Sequence, residues 1–161
     1  MQTQSLLLAP LTEEDYGWLC ELYADPEVMR YIGTGVRTPE VATAVLAKIR
    51  AAAPPAGYWT LRDRATGEPV GGAMLMVRRE GSPVEIGFLL AKRAWGRGLA
   101  SEAVQAVVEH AFAERGVRAI EAFTDQRNEA SARVLLKAGF RDLGLCPGPY
   151  GTLDRKFVRS A

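Results

Sequence analysis

The apolar run Val84-Glu85-Ile86-Gly87-Phe88-Leu89-Leu90 meets a long amphipathic run beginning at Leu99 across the short segment Arg93-Ala94-Trp95-Gly96-Arg97-Gly98. This junction constrains the fold more than any other stretch. A strand that feeds a helix through two glycines leaves unpaired backbone N–H groups at the helix start, and the aligned peptide dipoles there favour an anion. Gly96 and Gly98 let the backbone approach that anion with no Cβ in the way. The expected occupant is a phosphate-bearing cofactor held by Arg93, Trp95, Gly96, Arg97, Gly98, Leu99 and Ala100, with Arg93 and Arg97 reaching further phosphates. The plain alternative is a glycine-rich turn that only connects a strand to a helix. A dinucleotide fold fits less well. Its G-x-G-x-x-G is matched only to within one residue, Lys92 to Trp95 separate strand from loop, and the chain after Asp125 is too short for further βα units. No Gly-Lys-Ser or Gly-Lys-Thr follows, so the loop is not a P-loop.

Around the junction, apolar periodicity predicts an α/β chain. Ser5 to Ala9 reads as a strand. Thr12-Glu13-Glu14-Asp15 opens a helix that buries Tyr16, Leu19, Leu22 and Tyr23 and ends at Asp25-Pro26. Thr38-Pro39-Glu40 opens a second helix, running through Val41, Val45 and Ile49 to Pro54-Pro55. Tyr58 to Arg62 and Pro69 to Arg78 form a hairpin about Thr66-Gly67-Glu68, and Val84 to Leu90 is the next strand, where Gly87 marks a bulge or a close approach. Leu99 to Glu114 is a helix with Leu99, Ala103, Val107 and Ala111 on one stripe. Ala119 to Thr124 is a strand, Asn128 to Ala138 a helix closed by Gly139-Phe140, and Leu153 to Val158 a last strand. The order is βααβββαβαβ in one domain over residues 1–161.

Composition removes other classes. Hydrophobic residues make up 48% and charged residues 24%, which excludes disordered and coiled-coil chains. Twenty Lys and Arg, sixteen of them Arg, against nineteen Asp and Glu leave a net charge of +1 with no basic stripe, so no nucleic-acid partner is expected. Cys20, Cys146 and His110 cannot assemble a metal cage. No run approaches the roughly 20 apolar residues that span a bilayer, and Met1 to Ala9 lacks a cationic flank. A cytoplasmic protein with reduced thiols, monomeric or homodimeric, is expected.

Five ordered motifs then stand together: Asp25-Pro26-Glu27-Val28-Met29-Arg30-Tyr31-Ile32-Gly33, Thr66-Gly67-Glu68-Pro69-Val70-Gly71-Gly72, Glu85-Ile86-Gly87-Phe88, Arg93-x-x-Gly96-x-Gly98, and Asn128-Glu129-Ala130-Ser131 leading to Lys137-Ala138-Gly139-Phe140. With them the chain resembles the Gcn5-related N-acetyltransferase (GNAT) family, more narrowly its branch that acetylates ribosomal-protein N-termini. The Arg93 motif is similar to the family's acetyl-CoA signature. The resemblance implies a GNAT fold, a mixed and mostly antiparallel sheet flanked by helices and splayed between the strands holding Phe88 and Phe123. The pantetheine arm of acetyl-CoA lies in the gap. It also implies a backbone N–H near Leu89 or Leu90 on the thioester carbonyl, a pantetheine contact from Asn128, and Ser131 near the sulfur as proton donor to the thiolate. Tyr150 is an alternative donor.

Acetyl transfer needs a neutral amine, whereas a Lys amine has a pKa of about 10.4 and an α-amine about 7.7 to 8.0. Glu85, beside the proposed carbonyl site, is the candidate to take the proton directly or through water. Alternatively it is a surface carboxylate, since Val84, Ile86 and Phe88 share the opposite phase. His110 sits mid-helix and is expected to be packed. The segments Val28 to Arg37 and Cys146 to Leu153 are expected to wall the acceptor side. They contain Arg30, Arg37 and Asp154 without the carboxylate density a polyamine needs. A peptide or protein α-amine is the first choice of acceptor and a small-molecule amine the second. An acyl-CoA-binding module without turnover is the reading from another class.

Overall fold

A computed structural model of the chain describes residues 1–78 and 80–161. The strands are β1 (Leu6–Pro10), β2 (Gly57–Asp63), β3 (Pro69–Val77), β4 (Val84–Leu90), β5 (Ala119–Asp125), β6 (Arg141–Pro147) and β7 (Leu153–Ser160), and the helices are α1 (Tyr16–Ala24), α2 (Pro39–Arg50), α3 (Leu99–Glu114) and α4 (Glu129–Lys137). One mixed sheet of seven strands has the order β1-β2-β3-β4-β5-β7-β6, and every neighbouring pair is antiparallel except β4–β5. This is the expected α/β order with one strand added, β6, whose residues are mostly exposed.

Side chains alternate across the sheet and supply two cores. On one face, Trp59, Leu61, Ala73, Leu75, Ile86, Ile120 and Phe157 pack with Leu99, Val104 and Val107 of α3 and Leu135 of α4. On the other, Tyr58 and Leu89 pack with Leu19, Leu22 and Tyr23 of α1 and Ala42 and Leu46 of α2. The buried stripe of α2 therefore runs through Ala42 and Leu46, and Val41 is 51% exposed.

Local chemistry accounts for the ends. Thr38 Oγ1 accepts from Val41 N at 3.4 Å with Pro39 in the first turn of α2. At the end of α4, Phe140 N donates to Leu135 O and Gly139 N to Leu136 O, with Gly139 at φ +80°, a Schellman closure. Gly87 makes no bulge. The β3–β4 register is unbroken from Gly71↔Leu90 to Val77↔Val84, and a Cβ on Gly87 would stand 3.3 Å from the Met76 methyl. The β4–β5 ladder, by contrast, contains only Val84↔Ile120 and Glu85↔Glu121. Past that point the two strands part.

Candidate active site

The parting of β4 from β5 fixes which backbone groups face the gap. Ala91 N donates to Val70 O at 2.9 Å, so by antiparallel alternation the odd-numbered residues of β4 turn their backbone to β3. Phe88 and Leu90 turn theirs the other way, where no β5 residue pairs with them. The Leu90 carbonyl is taken by the Trp95 indole N–H at 2.8 Å. Among the described residues, the free amides on this edge are those of Phe88 and Leu90. The expectation for Leu89 is corrected, because its N–H belongs to the β3 ladder and its side chain to the α1/α2 core.

A short 3-10 turn, Lys92–Ala94, carries the chain from β4 to α3. Gly96 and Gly98 have φ of +74° and +78°, and a Cβ on either would meet nothing within 4 Å. Positive φ makes glycine necessary here, and the space in front of both is open. Gly98 is the N-cap of α3 and offers no side-chain acceptor. Among the described residues, the N–H groups of Leu99, Ala100 and Ser101 find none either. Glu102 does not fill the role, since its Oε1 accepts from Ser5 N at 2.6 Å. Arg93 and Arg97 differ from expectation because the protein already engages both. Arg93 Nη2 donates to Pro69 O at 2.5 Å, and Arg97 Nη2 pairs with Asp63 Oδ2 at 2.7 Å, holding that carboxyl below the usual carboxylate range.

α4 begins just past the end of β5. Asn128 Oδ1 caps it by accepting from Ser131 N at 3.1 Å, which leaves the Asn128 Nδ2 group and the Ser131 hydroxyl without partners among the described residues.

The opposite face of the gap carries the other expected residues. Glu85 shares its face with Gly87 and Leu89, β3 aligns Met74 and Met76 there, and Arg78 follows just past the end of β3. Glu85 is buried, 5% exposed, so it is not the surface carboxylate of the alternative reading. Arg78 grips both its oxygens, Nη2 to Oε1 at 2.7 Å and Nε to Oε2. The Arg78 guanidinium lies 5.1 Å over the Tyr150 ring. A Cβ on Gly33 would be 3.7 Å from Tyr150 Cζ and 3.6 Å from Arg37 Nη2, so the segment after α1 and the β6–β7 turn meet. Arg37 stacks 4.7 Å over Tyr23. Burial pushes the Tyr23 and Tyr58 phenols up, Tyr58 the further, and among the described residues neither hydroxyl has a hydrogen-bond partner. Arg78, Tyr23 and Tyr58 were not singled out from sequence. Only Arg78 left a signal, its phase with Met74 and Met76.

His110 lies on the other side of the sheet, edge-on to Trp59 at 5.7 Å, its Nε2 accepting from Arg115 Nε at 3.0 Å. It is a packed histidine. Among the described residues no three His, Cys, Asp or Glu side chains are grouped to hold a metal ion, and no helix is long and apolar enough to cross a membrane.

A family profile described as an acetyltransferase (GNAT) domain matches residues 5–141. The chain is 30% identical over 149 residues to the uncharacterized N-acetyltransferase p20 of Bacillus licheniformis, covering 90% of this chain and 84% of that protein. Among solved structures, a GNAT-family acetyltransferase from Bacillus anthracis superposes with a TM-score of 0.85 at 25% identity, covering 99% of this chain and 97% of the other. An aminoglycoside acetyltransferase in complex with coenzyme A gives 0.80 at 23% over 97% and 95% of the two chains. A ribosomal L7/L12 α-N-protein acetyltransferase in complex with coenzyme A gives 0.82 at 16% over 98% and 95%. Profile, relative and architecture agree over most of the chain, and the protein belongs to the GNAT family of acetyl-CoA-dependent N-acetyltransferases.

Proposed function

We propose that this acetyltransferase acts on the α-amine of a peptide or protein, as the ribosomal-protein N-terminal branch does, in the cytoplasm. The observation that carries the reading is the β4–β5 gap, which has unpaired amides and the glycine-capped α3 on its cofactor side and the Glu85–Arg78–Tyr150 cluster on the other face.

The residues present fit acetyl-CoA. Open space before Gly96 and Gly98 and three unpaired N–H groups suit a pyrophosphate. The Arg97 guanidinium is half-exposed even while it pairs with Asp63, so its open side faces solvent where a phosphate can approach. The Nδ2 group of Asn128 is free for an amide carbonyl of the pantetheine arm. Bound acetyl-CoA supplies an acetyl thioester. The Phe88 or Leu90 amide donates to the oxygen of its carbonyl. Glu85 takes the proton of the acceptor ammonium, directly or through water. The neutral nitrogen then bonds to the acetyl carbon as the C–S bond breaks. Ser131 gives a proton to the departing sulfur and recovers one from the nitrogen through solvent.

Charge supports an acceptor of modest charge. Glu85, Glu121 and Asp125 on the acceptor face are each compensated by Arg78, Lys156 and Arg127, which leaves no free carboxylate cluster for a polycation. Neighbours named for an aminoglycoside and for a ribosomal-protein α-amine share the fold, and the fold serves both. A small-molecule monoamine is the second reading. Incubation with acetyl-CoA and trialanine amide, alanine amide, spermidine or kanamycin, read by mass spectrometry and thiol release, decides. Acetylation of trialanine amide is expected. Acetylation of spermidine or kanamycin alone overturns the peptide reading, and acetyl-CoA binding with no acetylated product favours a module without turnover.

A further inference from the structure

We propose that Asp154 is the group that receives the acceptor's ammonium, an inference that rests on the reading of this face as the acceptor side. The register pairs Glu85↔Glu121 and Asp125↔Asp154 set four carboxylates on one face of β4, β5 and β7. Three have a cation from the chain itself. Arg78 holds Glu85, Lys156 lies 2.7 Å from Glu121, and Arg127 lies 2.6 Å from Asp125.

Asp154 has none. It is 5% exposed, yet among the described residues it accepts no hydrogen bond and forms no ion pair. Folds ordinarily pair a buried carboxylate, because an uncompensated charge away from water is costly. The cations beside it on β7 are committed elsewhere. Lys156, two residues along the same face, is held by Glu121 and lies 5.3 Å over the Phe123 ring. Arg155 belongs to the other face and binds Asp142 and Glu129. On the neighbouring strands Asp154 faces Asp125, another carboxylate, and Cys146, a thiol. Among the described residues no cation serves it.

The carboxylate keeps a trace of solvent contact on the face it shares with Glu85. The β6–β7 turn closes over Asp154 with a glycine at the contact, since a Cβ on Gly148 would stand 1.9 Å from Asp154 Oδ2. The same turn carries Tyr150 to Arg78 and Gly33. The carboxylate is not among the partnerless polar atoms sealed from solvent, which are those of Tyr16, Tyr23, Tyr58, Thr60, His110 and Thr124. A small cation can reach it, and the cation this reaction brings is an ammonium, with three N–H donors for two carboxylate oxygens. One vacant carboxylate suits an acceptor whose charge sits on the amine to be acetylated. A second charge on the acceptor meets only carboxylates already paired.

The test is Asp154→Asn, which keeps shape and removes charge, with trialanine amide as acceptor and lactoyl-dialanine amide, a hydroxyl in place of the ammonium, as competing ligand. In the variant the KM for trialanine amide is expected to rise about tenfold or more, with acetyl-CoA affinity unchanged. The wild type should bind the amine more tightly than the hydroxyl analogue, and the variant should bind both alike. The melting temperature should equal or exceed that of the wild type, because an unpaired carboxylate has gone. An unchanged KM, or a melting temperature several degrees lower, overturns the assignment of Asp154 and leaves the peptide acceptor standing. A wild type that does not acetylate trialanine amide overturns the acceptor reading itself.

Discussion

Glu85 has two oxygens, and Arg78 takes one lone pair from each. The second lone pair on each oxygen remains for a water or for the acceptor nitrogen, so the ion pair fixes the carboxylate in place without closing it. A group held this way acts on the acceptor and not on the cofactor. Glu85→Gln should therefore lower kcat by about 10² to 10⁴-fold with acetyl-CoA affinity intact. With a peptide acceptor the defect should shrink as pH rises past about 8, where the α-amine is already neutral. A variant as fast as the wild type at every pH would remove Glu85 from the mechanism. Strand alternation in the sequence already placed Glu85 opposite Val84, Ile86 and Phe88. What alternation cannot say is that Tyr150, more than sixty residues later, comes to lie under the guanidinium that holds it. Gly72 was legible as part of a motif and gains a cause here: a Cβ on it would stand 1.9 Å from the Tyr58 hydroxyl oxygen.

At the scale of elements, the start of α3 combines two demands that glycine alone meets. Gly98 has φ +78°, and the space before it is open. Valine there suffers backbone strain of about 1–2 kcal/mol and also sets a branched side chain before the unpaired N–H groups. Gly116, just past the other end of α3, has φ +65° and equally open surroundings, so Gly116→Val controls for strain. Both variants should melt lower, and only Gly98→Val should weaken CoA binding in calorimetry, by more than about tenfold. Equal CoA affinity in the two would detach the loop from the cofactor. Caps and stripes made α1, α3 and α4 readable, because each is decided within a few residues. β6 was not readable. It is an edge strand paired only with β7, its register shifts between Asp142 and Leu145, Gly144 sits at φ +87°, and all its residues but Cys146 are exposed, so burial imposes no alternating pattern. The β4–β5 divergence left no local mark either, since it is a relation between strands rather than a property of one.

The whole molecule is a sheet with different electrostatic characters at its surface and inside its α1/α2 layer, and its stability should carry the mark of both. Asp63, Asp125 and Asp142 are held below the ordinary carboxylate range by hydrogen bonds from Arg97, Arg127 and Arg155. Their folded form binds protons less readily than the unfolded chain. The stability they contribute is present above about pH 4 and is lost as pH falls further. Tyr23 and Tyr58 are shifted upward, chiefly by burial. For them the folded form keeps its proton longer, so their contribution is complete below about pH 10 and is lost as pH rises beyond it. A melting temperature measured against pH should be flat between these limits and fall on both sides. Tyr58→Phe isolates the alkaline arm. Among the described residues the Tyr58 hydroxyl is buried with no hydrogen-bond partner, and its removal takes away the group that resists ionisation. The variant should melt at or above the wild-type temperature near pH 7 and fall less steeply above pH 10. An alkaline fall as steep as that of the wild type would remove Tyr58 from its cause.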